Sequence, residues 1–245
     1  MQRLKAVIEF DGTDFSGWQV QKNRRTVQGV FEDTLAQRFG QKIKVIGAGR
    51  TDTGVHATGQ AAHFDCPVNE NADNVTRSLN SMLPGDVSLR FLEKVSRDFH
   101  ARFDAVGRSY RYDICLVRSA LRRRYCWEYP GALNAARMRT ALTDLLGTHN
   151  FKPFAKLNTK KNNYSCTIFE TALHKRNESI TVGIRADRFL HGMVRAIVGL
   201  LVDVGRGAKD VTVFGTVLST GDRSLVSGLA PANGLFLEHV HYYNV

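Results

Sequence analysis

Leu4, Ala6, Ile8 and Phe10 recur at a period of two, with charged or outward-facing positions between them, and the alternation predicts a strand. A turn at Asp11-Gly12 follows. Thr26 then precedes Val27, Val30, Phe31, Thr34 and Leu35 at helical spacing, and Gly40 stops the run, so a capped helix is expected. Ile43 and Val45 predict a short strand. Beyond it lie a polar, glycine-rich stretch, GAGRTDTGVHATGQ, and a second extended run, GQAAHFD. Val75, Leu79 and Met82 mark another helix ended by Pro84-Gly85, after which Val87, Leu89, Phe91, Glu93 and Val95 alternate again. The order is β-α-β-β-α-β.

After Val106 the order begins anew. Tyr110, Tyr112, Ile114 and Leu116 alternate, and Met138, Ala141, Leu142 and Leu145 share a helical face that runs to Gly147. Two strands, YSCTIFETAL and SITVGIRA, precede a helix striped by Leu190, Met193, Val194, Ile197, Leu201 and Val204. A further helix around Val211, Phe214, Val217 and Leu218 leads to a closing strand, LFLEHVHYY. Two split β-α-β halves imply the α+β class: two RRM-like or ferredoxin-like units, each an antiparallel sheet with helices on one face, whose sheets can join edge to edge. The expected domains are residues 1–105 and 106–245. The seam falls between Phe103 and Ser109, and the loop SALRRRY is an insertion able to reach a ligand.

Composition sharpens this. The chain has 245 residues, 43% of them hydrophobic, enough for one large or two small cores. Lys and Arg number 34 against 23 Asp and Glu, a formal charge of +11 that favours a polyanionic partner such as nucleic acid. Charges break every apolar stretch short of the ~18 residues a transmembrane helix needs. The start, MQRLKAVIEFDGT, lacks the apolar core of a signal peptide. The expectation is a cytoplasmic protein with no membrane partner. Cys66, Cys115, Cys126 and Cys166 show no C-x-x-C pairing, so reduced, packed cysteines are expected.

Asp52 is the acid that calls for explanation. Among Gly and Thr an Asp commonly forms an Asx-turn or a cap. Arg50, two residues away in extended chain, can share a face with it. Asp52, His56 and His63 supply metal-ligand atoms, yet their spacing matches no zinc pattern, so no metal site is assigned. No G-x-S-x-G is present. What remains is direct action of Asp52 on a nucleic acid, as nucleophile or base, with an arginine to keep it ionised. Arg50 and Arg195 are the candidates, the latter because it lies off the apolar stripe of its helix. Aromatics interleave with arginines in FHARFDA and RSYRYDI, where Tyr110 and Tyr112 are either core residues or stacking platforms. Arg24-Arg25, Arg122-Arg123-Arg124 and Lys160-Lys161 read as solvated or phosphate-contacting loops.

Five segments, FDGTDFSGWQVQ, GAGRTDTGVHATGQ, FHARFDAVGRSYRYD, FLHGMVRAIVGLLVDVGRG and APANGLFLEHVHYY, together resemble the tRNA pseudouridine synthase A family, in that order and over nearly the whole chain. GRTDTGVHA is the most specific. The resemblance implies the pseudouridine synthase fold with its active-site cleft between the two units. It also implies isomerisation of uridines 38, 39 and 40 of tRNA, a homodimer, and no cofactor or metal. By the same carry-over Asp52 is the catalytic carboxylate, Arg50 helps open the substrate helix and hold the flipped nucleotide, Tyr110 stacks on uracil, Arg195 pairs with Asp52, and Leu235 lines the pocket. In one place the chain departs from the family: Ser165-Cys166-Thr167 stands where many members carry an arginine before Thr-Ile, with Lys160 and Lys161 near enough in sequence to substitute. Two other classes compete. A non-catalytic tandem RRM-like RNA-binding protein would leave the RTD loop without a purpose and would need an R-G-F-G-F-V type strand that is absent; a metal-dependent RNA hydrolase would be sensitive to chelators.

Overall fold

A computed structural model of the chain describes residues 1–67, 69–156 and 163–243. Its elements in chain order are β1 (Gln2–Phe10), α1 (Val27–Phe39), β2 (Ile46–Gly47), β3 (His56–Cys66), α2 (Ala72–Met82), β4 (Val87–Lys94), β5 (Ala105–Cys115), β6 (Trp127–Glu128), α3 (Ala135–Leu142), β7 (Gly147–Asn150), β8 (Ser165–Arg176), β9 (Ser179–Ala186), α4 (Met193–Gly205), α5 (Val213–Thr220) and β10 (Leu235–Tyr242). The class is α+β. The chain forms two compact units, Met1–Val106 with Phe236–Val245, and Gly107–Leu235. Among the described residues no helix is long and apolar enough to cross a membrane.

In the first unit the strand order is β4-β1-β3-β10, with β4 and β3 antiparallel to β1 and β10 parallel to β3. The alternation read in the sequence decides which face of β1 is covered. Leu4, Ala6, Ile8 and Phe10 are buried, and so are Val27, Phe31 and Leu35 of α1 and Val75 and Leu79 of α2. Each of these side chains other than Ala6 contributes roughly 1.5–3 kcal/mol of burial. Thr26 accepts from the Gly29 N–H and Gly40 takes φ 68°, the cap and stop that the sequence predicts for α1. Arg38 binds Ser78 of α2 and Glu70, two residues before it, and so joins α1 to α2 and to the segment that leads into it. The opposite face of β1 carries ion pairs instead: Arg3 with Asp65 and Lys5 with Glu93.

Two expectations for this unit are corrected. Ile43 and Val45 are buried, yet the ladder to β3 starts only at Ile46, because α1 claims the Val45 main chain. Glu32 Oε1 accepts from the Val45 N–H at 2.9 Å and Gln28 Nε2 donates to its carbonyl at 3.0 Å. The closing strand, read as the end of the second half, groups with the first unit, where Phe236 and Leu237 pair with His56 and Ala57.

In the second unit the order is β5-β9-β8-β7, all antiparallel, with β6 running parallel beside β5. Every residue of α4 except Arg195 and Asp203 is buried. α3 packs on α4 so closely that a Cβ on Gly205 would meet Met138 Sδ at 2.7 Å. α3 ends at Leu142, earlier than its apolar stripe suggests. A tighter 3-10 turn over Thr143–Leu145 keeps Leu145 buried, and Gly147, at φ 94°, turns the chain into β7.

The cysteine expectation is also corrected. Cys115 and Cys126 form a disulfide with Cα atoms 5.9 Å apart, while Cys66 and Cys166 are buried. The parallel pairing of Ile114 with Trp127 and Cys115 with Glu128 brings the two thiols together, which no sequence spacing discloses. The bridge closes the loop that carries Arg122, Arg123 and Arg124.

Candidate active site

In the first unit Asp52 sits half-buried on the loop between β2 and β3, with Arg50 exposed beside it. The segment FDGTDFSGW wraps this loop and fixes its path. The Trp18 N–H donates to the Thr51 carbonyl at 3.2 Å, and the Gly54 N–H to the Phe15 carbonyl at 3.4 Å. The Val55 N–H closes a turn on the Asp52 carbonyl at 3.2 Å, with Gly54 at φ 77° as that turn requires. Gly17, at φ 85°, lies so close that an added Cβ would stand 2.5 Å from the Thr51 oxygen, and one on Gly12 would collide with the Val55 carbonyl. Arg50 Nε donates to Gln19 Oε1 at 3.1 Å, so the arginine next to the acid is oriented by the residue that directly follows this segment.

Deeper in the unit two imidazoles hold main chain. The Gly12 N–H donates to His56 Nδ1 at 3.0 Å, and His56 stacks on Phe236 with ring centres 4.7 Å apart. The Ala101 N–H donates to His63 Nδ1 at 3.0 Å. The two histidines weighed with Asp52 as metal ligands therefore each spend a ring nitrogen on a backbone donor. Gln60, fully buried, donates to the Gly49 carbonyl at 3.0 Å. Among the described residues, the buried side-chain atoms with no hydrogen-bond partner are Thr51 Oγ1 and Gln60 Oε1. Thr51 directly precedes Asp52, and Gln60 on β3 reaches the same loop through the Gly49 carbonyl.

In the second unit Tyr110 and Tyr112 share a face of β5 but differ in burial. Tyr112 is core: its hydroxyl donates to the Pro231 carbonyl at 2.8 Å, and burial pushes its phenol pKa well up against the opposing pull of Arg195. Tyr110 is half-buried, with its ring edge-on to Phe189, 5.0 Å between centres. Arg195, half-buried at the start of α4, donates from Nε to the Ala230 carbonyl at 2.7 Å, and the Ala230 N–H returns a bond to the Arg195 carbonyl at 3.0 Å. Leu235, 5% exposed, follows in the same segment, where Gly234 lets the chain pass over Tyr112. The segment APANGL thus ties together Tyr112, Arg195 and Leu235.

The basic residues divide. Arg25 makes a two-pronged ion pair with Asp86, at 2.7 and 2.9 Å, and lies 4.0 Å over the Phe15 ring, bracing the segment that wraps the Asp52 loop. Arg24, Arg122, Arg123 and Arg124 are exposed. Lys160 and Lys161 lie outside the described residues. Cys166 is buried, and Arg188 donates to the Ser165 and Asn163 carbonyls at 3.0 and 2.9 Å beside it. Sequence reasoning did not single out Arg188, Phe189, Gln60 or Gly17, and it read Gly12 only as part of a turn; the glycine spacing in FDGTDFSGW was the one available signal.

The family model described as tRNA pseudouridine synthase matches residues 6–104 and 141–243. The chain is 39% identical to the tRNA pseudouridine synthase A of Geobacillus kaustophilus, with 98% of this chain and 95% of the relative covered. It is 39% identical to that of Exiguobacterium sibiricum, covering 99% and 97%, and 40% identical to that of Picosynechococcus, covering 98% and 89%. With both units matched, and with the Asp52 loop and the APANGL segment inside the matched residues, the chain belongs to the tRNA pseudouridine synthase family.

Proposed function

We propose that the protein isomerises uridines 38, 39 and 40 in the anticodon stem-loop of tRNA, with Asp52 as the catalytic carboxylate. Membership of the family makes it a tRNA-modifying isomerase. The observation that carries the finer reading is the framing of the Asp52 loop, in which a half-exposed acid is held by main-chain bonds and glycine contacts from a separate segment. An acid needed only for a turn does not require that frame.

The reaction breaks the bond between uracil N1 and the ribose carbon, turns the base, and joins C5 to that carbon, releasing the C5 proton. A carboxylate can serve by attacking sugar or base or by removing a ribose proton. The detached uracil needs a platform, and Tyr110, half-buried and buttressed by Phe189, is suited to stacking. Flipping a stacked uridine costs a few kcal/mol, which stacking and arginine contacts offset. Arg50 assists the opening, Arg195 supplies the charge that keeps the carboxylate ionised, and Leu235 excludes water. No cofactor or metal takes part. The active form is a homodimer, in which the basic loops of one subunit hold the tRNA body while the other subunit acts on the anticodon arm.

The test is to incubate the protein with tRNA carrying tritium at uracil C5. Tritium should pass to water, and mapping of the product should find pseudouridine at 38, 39 and 40. No release refutes the isomerase reading; release with pseudouridine elsewhere refutes the position.

A further inference from the structure

The segment FHARF ends in Phe103, whose ring is 75% exposed, although the backbone that carries it is firmly held. The Arg102 and Phe103 N–H groups point at His100 Nδ1, each at 3.2 Å, and the Asp104 N–H donates to the His100 carbonyl at 3.0 Å. The Asp104 carboxylate accepts from the His100 N–H at 2.8 Å, which closes the turn on itself.

Below, the turn is anchored to the sheet of the first unit at two points. Ala101 donates its N–H to His63 Nδ1 and accepts from the Tyr242 hydroxyl at 2.7 Å. Burial holds the His63 pKa near 4, so its ring is neutral and Nδ1 is free to accept at physiological pH. Phe99, the other aromatic of the motif, is buried against Tyr242 and His63. One phenylalanine of the motif therefore belongs to the core, and the other is held out into solvent.

The exposed ring is presented as a platform. His100 stacks on it from one side, with centres 4.3 Å apart and planes at 29°, and the Arg102 guanidinium lies 5.8 Å from its centre. An exposed aromatic on a preorganised turn loses little entropy when it takes a flat partner. With guanidinium alongside, and a chain of net charge +11, the partner that fits is a nucleobase carried on a phosphate backbone.

We propose that Phe103, backed by His100 and flanked by Arg102, is a second stacking site, which takes a nucleobase of the tRNA other than the uridine being isomerised. This rests on the tRNA-modifying reading of the protein. Each base stacked on an aromatic ring is worth about 1–3 kcal/mol, or about 5- to 150-fold in affinity.

The experiment compares the full-length wild type with Phe103→Ala, Phe103→Leu and Phe103→Trp. It measures tRNA dissociation constants over a salt series, KM and kcat from tritium release, and sedimentation. Phe103→Ala and Phe103→Leu should raise Kd and KM by at least about fivefold while kcat falls by no more than about twofold. Phe103→Trp should restore affinity to within about threefold of wild type. Because stacking releases no counterions, the salt slope should be the same in all four proteins. Unchanged affinity in Phe103→Ala overturns the proposal, as does a tryptophan variant no better than the alanine one. Conversion of the dimer to monomer by Phe103→Ala, with binding lost in step, would make the ring a contact between copies of the chain and overturn it too. If the wild type binds tRNA but releases no tritium, the isomerase reading fails, and Kd of the Phe103 variants alone still decides whether the ring stacks.

Discussion

The Asp52 loop carries a half-buried carboxylate and the APANGL segment holds a half-buried guanidinium, that of Arg195, but the two charged groups are held by different means. Around Asp52 the contacts are main chain to main chain, with Gly12 and Gly17 allowing an approach that no side chain could share. The imidazoles behind that frame accept N–H groups. In the second unit guanidinium groups donate to carbonyls: Arg195 to Ala230, and Arg223 to Pro153 and Ala155. The first arrangement fixes position by shape. The second fixes it by charge, which tolerates small movements and does not titrate near neutral pH. Such a division suits a reaction in which the carboxylate must be placed within a fraction of an ångström while the RNA is held by many weaker contacts.

Among variants that leave Asp52 itself in place, the largest expected effect comes from filling the frame. Gly12→Ala must push the Val55 carbonyl aside, and misplacement by about an ångström can cost about a hundredfold in kcat. Gly40→Ala is the control: it too adds a side chain, at positive φ, but the new Cβ meets nothing within 4 Å. It should cost about 1–2 kcal/mol of stability and leave tritium release near wild type. Equal kcat losses in both would mean that the glycines act through stability and not through position.

Next in size is Tyr110. If it works as a platform, Tyr110→Phe should keep substantial activity and Tyr110→Leu should lose an additional 1–3 kcal/mol, about 5- to 150-fold. Equal loss in both variants would place the hydroxyl in the proton transfers.

Acid should separate the two kinds of anchoring. The His63 pKa is near 4 in the folded chain, lowered chiefly by burial and then by Arg3, against 6.5 unfolded. Between these values the unfolded chain binds more protons, so the stability contribution is complete above pH 6.5 and is lost as pH falls toward 4, by at most about 3 kcal/mol. Urea midpoints measured from pH 7 to 4 should fall accordingly, and His63→Gln should flatten the decline. A decline unchanged in that variant would remove His63 as its source.

The smallest change is expected from Arg122, Arg123 and Arg124. Replacing all three by alanine should weaken tRNA binding and flatten its salt dependence by about 0.7 to 0.9 for each phosphate no longer neutralised. The set of modified uridines should not change, because phosphate contacts position the RNA without reading bases. An altered choice of uridine would give this loop a role in selection.

The sequence made some of this plain and hid the rest for identifiable reasons. α1 is legible because its cap, stripe and stop are local, at Thr26, Phe31 and Gly40. The Ile43–Val45 segment misleads because side chains of α1, distant in sequence, claim its backbone. β7, of sequence GTHN, is a polar edge strand with no apolar alternation to betray it. Asp52, Arg50, Tyr110, Arg195 and Leu235 are named by motif. What frames them, Gly12 and Gly17 above all, is a matter of close approach between segments some 40 residues apart, as in the contact of Gly12 with Val55. The Cys115–Cys126 pair depends on a two-residue parallel ladder at β6.

The central claim is that Asp52 performs the chemistry and its frame only places it. The direct test is Asp52→Asn, assayed with tRNA carrying tritium at uracil C5 beside an equal amount of wild type. The account predicts that the wild type releases tritium and the variant none, while tRNA affinity stays within about tenfold, or 1.4 kcal/mol, because the lost group acts on the barrier and not on the phosphates. Measurable turnover by the purified variant would contradict it.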